Sequence, residues 1–247
     1  MNVYDQISDK KAEGIKQLAV LIDPDLSGNE SVERICHLAA ENGVDYIFVG
    51  GSLVTRGNLH QCLRQIKMSC SIPVVIFPGN AMQIDPLADA ILFMSLISGR
   101  NPELLIGNQV ISAPVIRESR LEPISTGYML VDSGATTAAV YMSNTIPLPS
   151  NKPEIAACTA LAGEMLGLKL IFMDAGSGAA KPVSEQIISA VRRTISVPLV
   201  VGGGINTPEK AISACRAGAD LIVIGNAIEK DPAVLPLIAG AVKSVSV

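Results

Sequence analysis

A chain of 247 residues is close to the roughly 250 that a closed barrel of alternating strands and helices requires, although two small domains fit that length as well. Aliphatic side chains dominate, aromatics make up 3% and tryptophan is absent, a composition suited to parallel strands buried on both faces. A formal charge of −4 without a basic stripe speaks against nucleic acid as a partner, and no apolar run reaches the roughly 20 residues that cross a bilayer.

Mean hydropathy is +0.40, high for a soluble monomer. A thick core, an apolar subunit interface or a greasy substrate channel would each account for it, and a homodimer or larger homo-oligomer is expected. Residues 1–17 are polar and charged, without the apolar region of a signal peptide. The five cysteines (Cys36, Cys62, Cys70, Cys158, Cys215) form no CxxC pair and read as reduced thiols, so a cytoplasmic location is expected.

Residues 4–16 are readable as an extra helix plugging the bottom of a barrel. Strand-like runs then recur along the chain. The first covers 18–23, with a helix over 29–42, and the second covers 44–49, with a helix over 58–70. The third, 72–77, is followed within about a dozen residues by the fourth, 90–94, too few for a loop, a helix and another loop. The third helix is therefore expected to be missing or reduced to a turn. A helix over 102–118 leads to strand 127–131, and 132–151 forms a long Ser/Thr/Gly/Pro connection of the kind that lines or covers a site. The remaining strands, 170–174, 198–202 and 221–225, alternate with helices over 152–167, 184–194, 208–217 and 231–245. Eight βα units without a linker predict one domain over 1–247, an α/β (β/α)₈ TIM barrel.

Active sites in this fold lie at the C-terminal ends of the strands, often with a phosphate held by the last loops. Three glycine-bearing segments fall there: Asp174-Ala175-Gly176-Ser177-Gly178, Gly202-Gly203-Gly204-Ile205 and Gly225-Asn226. Glycine lets main-chain N–H groups approach anionic oxygens. Tight turns alone would explain any one segment; three on consecutive strand ends point to phosphate.

The first strand ends in Asp23-Pro24-Asp25 and the second in Gly50-Gly51-Ser52. Asp23 and Ser52 could serve Mg²⁺, which takes one or two carboxylates plus phosphate oxygens and water; equally, Asp23 and Asp25 could cap the following helix. This acidic end is expected across the barrel mouth from the glycine loops. His37 and His60 fall within predicted helices and read as surface or packing residues, so a Ser/His/Asp triad and a zinc site find no support. Lys181, which follows Gly178-Ala-Ala, reads first as a surface lysine and second as one that reaches a phosphate.

The segments Leu21-Ile-Asp-Pro-Asp25, Val49-Gly-Gly-Ser52, Pro73-Val-Val-Ile-Phe-Pro-Gly-Asn80, Thr126-Gly-Tyr-Met-Leu-Val131, Phe172-Met-Asp-Ala-Gly-Ser-Gly178, Val201-Gly-Gly-Gly-Ile205 and Val223-Ile-Gly-Asn226 resemble, in this order, those of the geranylgeranylglyceryl phosphate synthase family, which includes bacterial heptaprenylglyceryl phosphate synthases. The resemblance runs from about Leu18 to Pro232. It implies a TIM barrel lacking its third helix and a Mg²⁺-dependent prenyltransferase acting on sn-glycerol 1-phosphate and a prenyl diphosphate. Asp23 and Ser52 match the family's metal positions. Phe172, Met173, Asp174, Ala175, Gly176, Ser177 and Gly178, with Gly202, Gly203, Gly225 and Asn226, match its glycerol-phosphate site.

Asp174 and Asp23 are the expected catalytic residues. Asp174 would bind the glycerol hydroxyls and take a proton, and Asp23 would act beside the donor diphosphate. The family commonly has Tyr-Leu-Glu where this chain has Phe172-Met173-Asp174, and a lysine where Leu26 stands. Geranylgeranyl is the first expected donor and heptaprenyl the second. Another phosphate-handling barrel enzyme is the rival reading, and a non-catalytic barrel that binds a phosphometabolite or a partner is a further one. The lipid product makes transient membrane contact an expectation too.

Overall fold

Along every strand the side chains alternate between two layers, and this alternation sets which residues reach the site. In β1 (Gln17–Ile22), Leu18, Val20 and Ile22 pack outward beneath the helices, whereas Ala19 and Leu21 point into the barrel. Residues continuing the inward parity beyond a strand's end therefore arrive at the rim. The computed structural model describes residues 2–25, 29–55 and 58–245; Leu26 lies outside the described residues.

Eight parallel strands close in sequence order: β1, β2 (Tyr46–Val49), β3 (Val74–Ile76), β4 (Ala90–Leu96), β5 (Glu122–Leu130), β6 (Leu170–Asp174), β7 (Leu199–Gly202) and β8 (Leu221–Ile224). Closure pairs β1 with β8. Tyr46, Phe48, Leu92 and Phe172 fill the interior, so the barrel is a packed core and not a pore. Outside it lie α2 (Asn29–Glu41), α3 (Leu59–Ser69), α4 (Asn108–Ser119), α6 (Pro153–Met165), α7 (Glu185–Arg192), α8 (Pro208–Ala217) and α10 (Val234–Ser244). Two short helices sit in rim loops, α5 (Ala138–Ser143) after β5 and α9 (Asn226–Lys230) after β8.

The extra helix, α1 (Val3–Ala12), closes the bottom. Val3 and Ile7 are buried in the inner cluster. The Val3 and Tyr4 amides, which lack partners within the helix, donate to the Glu122 carboxylate at 2.6 and 3.0 Å. Gln17 Nε2 donates to the Ile7 carbonyl at 3.1 Å.

No helix follows β3. Residues 77–89 form turns and bends, held by Gln83, whose Oε1 accepts from the Gly79 amide at 2.8 Å, and by Asp85, whose Oδ2 lies 2.7 Å from His60 Nδ1. Ile91 and Phe93, on the outer face of β4, consequently lack the helix that would cover them.

The short helices α5 and α9 were not expected, and two other elements depart furthest from the sequence reading. β5 begins at Glu122, five residues before 127, because Pro123, Ser125 and Thr126 break the apolar run without breaking the alternation: Ile124 and Thr126 are both fully buried. The helix expected over 102–118 opens as a π-helical turn, Glu103–Gly107, and only then continues as α4. In the widened turn, Gln109 Nε2 reaches the Leu104 carbonyl at 3.2 Å.

Candidate active site

A cavity of about 640 Å³ opens at the C-terminal ends of the strands. Its floor is an aromatic cluster of inward-facing residues. Phe77 stacks on Phe172 with centroids 5.3 Å apart, and Tyr128 meets both edge-on, at 5.7 Å from Phe77 and 5.5 Å from Phe172.

Asp174 stands above this floor, continuing the parity of Leu170 and Phe172. Its carboxylate accepts from Tyr128 Oη at 2.5 Å and from the Gly176 amide at 2.7 Å. It is 7% exposed. Burial pushes its pKa above the usual carboxylate range, and the bonds from Tyr128 and Gly176 oppose that rise. Burial, with Asp174 alongside, also pushes the Tyr128 phenol well above its ordinary value. A held carboxylate with raised basicity at a cavity wall is suited to accepting a proton.

The glycine loops surround Asp174. Gly203 has φ +80°, and a Cβ there would fall 2.6 Å from both Asp174 Oδ1 and the Gly176 nitrogen, so only glycine brings this loop against the carboxylate. Ser177 Oγ donates to Asn226 Oδ1 at 3.0 Å, joining the loop after β6 to the one after β8. Gly176, Ser177, Gly178, Gly202, Gly203, Gly225 and Asn226 all line the cavity.

Met173 and Ala175 do not line it. Both belong to the outer layer between sheet and helices, as the two-residue period requires. Contrary to the expectation that they bind substrate, their side chains are kept out of the cavity, and the Ala175 amide is taken up by the Gly202 carbonyl, to which it donates at 3.1 Å. Lys181 is exposed, as a surface lysine should be. In the long connection after β5, Ala138, Ala139 and Met142 of α5 line the cavity.

At the acidic end, Asp23 is half-buried and lies against the turn after β2: a Cβ on Gly51 would sit 3.0 Å from Asp23 Oδ2. Asp23 Oδ1 accepts from the Asp25 amide at 2.9 Å, and Asp25 Oδ2 accepts from the Thr55 amide at 2.6 Å. Burial raises the Asp23 pKa, its bond from the Asp25 amide lowers it, and the Asp25 charge raises it again. Ser52 lines the same part of the cavity.

The oxygen-only donor set suits a hard cation. Asp23 and Ser52 would offer it one carboxylate and one hydroxyl, few protein ligands. That pattern, completed by substrate phosphates and water, is the one Mg²⁺ favours.

The acidic end does not sit across the mouth from all three glycine loops. Because β8 pairs with β1, Glu229 of α9 reaches Asp23 directly, its Oε1 accepting from the Asp23 amide at 3.3 Å. Sequence reasoning missed both Glu229 and Tyr128. Neither stood out in the sequence: Tyr128 falls at the start of the expected strand 127–131, and Glu229 lies just before the expected helix over 231–245.

A third part of the cavity is apolar. Ile91, which is buried, and the partly buried Phe93, both on the outer face of β4, line it together with Ile84 and Ile116. The cavity thus runs from the rim over the barrel wall, through the space a helix after β3 would fill.

Closed barrel, glycine-lined rim and carboxylate end together define a TIM barrel with its site at the C-terminal ends of the strands. The chain belongs to the PcrB family, whose model matches residues 11–242. It is 53% identical over 244 residues to the geranylgeranylglyceryl phosphate synthase of Chitinophaga pinensis, covering 99% of this chain and 97% of that one. It also superposes on the (S)-3-O-geranylgeranylglyceryl phosphate synthase of Thermoplasma acidophilum, solved in complex with its substrate sn-glycerol-1-phosphate. There the TM-score is 0.93 at 33% identity, covering 99% of this chain and 100% of that one. Thiamine phosphate pyrophosphorylase of Pyrococcus furiosus, at 13% identity and a TM-score of 0.59 over 94% of this chain and 98% of that one, shares the fold alone.

Proposed function

We propose that this chain is a prenyltransferase that joins a prenyl diphosphate, geranylgeranyl in the first instance, to the C3 hydroxyl of sn-glycerol 1-phosphate, releasing diphosphate and forming an ether-lipid precursor. One observation carries the reading beyond phosphate binding: a single cavity holds both the apolar residues Ile84, Ile91, Phe93 and Ile116 and the carboxylates Asp23 and Asp174. A prenyl tail fits the apolar part, each buried CH₂ contributing about 0.8 kcal/mol, and its diphosphate then falls at the acidic end.

The glycine loops would clamp the acceptor's phosphate, aiming its hydroxyl instead of leaving it to tumble. A C–O bond forms between that hydroxyl and the prenyl C1, while the bond from C1 to the diphosphate oxygen breaks with its electron pair leaving on diphosphate. The hydroxyl proton passes to Asp174, held ready by Tyr128 and Gly176, and then to solvent. Asp23 and Ser52 are the residues that would hold Mg²⁺, which when bound neutralises charge on the departing diphosphate. The aromatic floor shuts water out from below.

The chain is proposed to work as one domain, as a cytoplasmic homo-oligomer. Large apolar side chains exposed on the π-helical turn, on α4 and just after α6 (Ile106, Val110, Ile111 and Leu166) support self-association. No helix among the described residues is long and apolar enough to cross a membrane, and the product would leave by transient membrane contact.

Incubation with radiolabelled sn-glycerol 1-phosphate, Mg²⁺ and prenyl diphosphates of several lengths tests the reading. Label should enter a lipid-extractable product, with the geranylgeranyl donor preferred over the heptaprenyl one and chelator abolishing turnover. No extractable product with any donor would overturn it.

A further inference from the structure

We propose that Glu229 is a positioning residue that couples the acceptor's phosphate loop to the acidic end of the cavity, so that the two substrate sites fill cooperatively. The inference rests on the proposed prenyl transfer and extends it to the order within the rim.

Glu229 lines the cavity, and its Oε1 accepts the amide of Asp23, 206 positions away in the chain. That amide leads the chain out of β1, so its acceptor fixes the direction in which Asp23 departs from the strand and presents its carboxylate to Gly51. Burial and the Asp23 charge both raise the Glu229 pKa, and the Asp23 amide opposes them; the bond works against a burial cost.

The other end of the link is the phosphate loop. α9 spans only Asn226–Lys230, so Glu229 lies three residues beyond Asn226, which is itself tied to Ser177. The Ile228 amide donates to the Gly225 carbonyl at 2.9 Å, and the Ile228 side chain is buried. The turn is thus anchored and too short to absorb a shift. Phosphate bound at Gly225-Asn226 orders α9, α9 sets Glu229, and Glu229 sets Asp23. By linkage each ligand must then tighten the other.

Calorimetry on the full chain reads this without turnover, titrating Mg²⁺ with inorganic diphosphate in the presence and absence of saturating sn-glycerol 1-phosphate. In the wild type the acceptor should tighten diphosphate binding about tenfold, within the usual range of site coupling. Glu229→Gln keeps the carbonyl oxygen that accepts from Asp23 and should keep most of the coupling. Glu229→Ala should bind each ligand separately but lose the coupling. Should the alanine variant fail to fold, Glu229→Met, which keeps the stem without the acceptor, takes its place with the same expectation.

Full coupling in the alanine or methionine variant would overturn the proposal. So would a glutamine variant as impaired as alanine, which would mean that Glu229 acts through its charge on the cation. If the wild type binds both ligands without coupling, only the role of Glu229 falls; if it binds neither, the proposed function falls with it.

Discussion

Asp174→Asn is expected to lower kcat by about 10²–10⁴-fold, the usual loss on removing a general base, while making the protein more heat-stable at neutral pH. Asparagine keeps an oxygen for the Gly176 amide and offers Tyr128 a new partner, so the site's shape survives and only the proton acceptor goes. The stability gain follows from the direction of the pKa shift, which burial raises. Below the ordinary carboxylate value both folded and unfolded chains hold the proton, and Asp174 costs nothing extra. As pH rises past that value the unfolded chain ionises while the buried group resists, so wild-type stability falls until the folded pKa is passed.

Melting temperatures of wild type and variant should therefore converge near pH 4 and separate near pH 7, the variant melting higher. Trading stability for activity in this way is common at catalytic sites. An active variant would remove Asp174 from the proton-accepting role, and one that melts lower at pH 7 would contradict the burial cost of its charge.

Asp23→Asn has the second large effect, and it falls on different quantities. The donor end should lose its charge complementarity: kcat/KM for the prenyl diphosphate is expected to drop at least about a hundredfold, corresponding to several kcal/mol of lost charge stabilisation. The Mg²⁺ concentration for half-maximal rate should rise. KM for sn-glycerol 1-phosphate should change far less, because the loops at Gly176, Gly203 and Gly225 are untouched. Wild-type rate and metal dependence in this variant would show that the metal does not bind at Asp23.

How much of this was legible in the sequence follows the physics of each element. The strands were visible because parallel strands buried on both faces write themselves as aliphatic runs, and the missing helix was visible as a spacing too short to hold one. The first half of β5 was hidden, since Pro123 and the two hydroxyl residues disguise a strand whose burial comes from its neighbours. At the site, Asp23, Ser52, Asp174 and the glycines could be placed at strand ends because the fold's active face is fixed by topology.

Side-chain direction was less accessible. The matched segment 172–178 was read as a unit, yet the two-residue period sends Met173 and Ala175 outward. Glu229 and Tyr128 depend on contacts across the closed barrel, Glu229 on the β1–β8 seam and Tyr128 on the register that sets it beside Phe172. Neither seam nor register is written in any local run of residues.

A crystal structure with sn-glycerol 1-phosphate, Mg²⁺ and an unreactive thio-diphosphate analogue of the prenyl donor bound together tests the shared rim most directly. The glycerol phosphate should lie on the loops at Ser177, Gly203 and Asn226 with its C3 hydroxyl facing Asp174, and the metal and diphosphate should lie by Asp23, with the tail running past Phe93 and Ile116. A diphosphate seated on the glycine loops, or a tail directed away from the gap after β3, would contradict it.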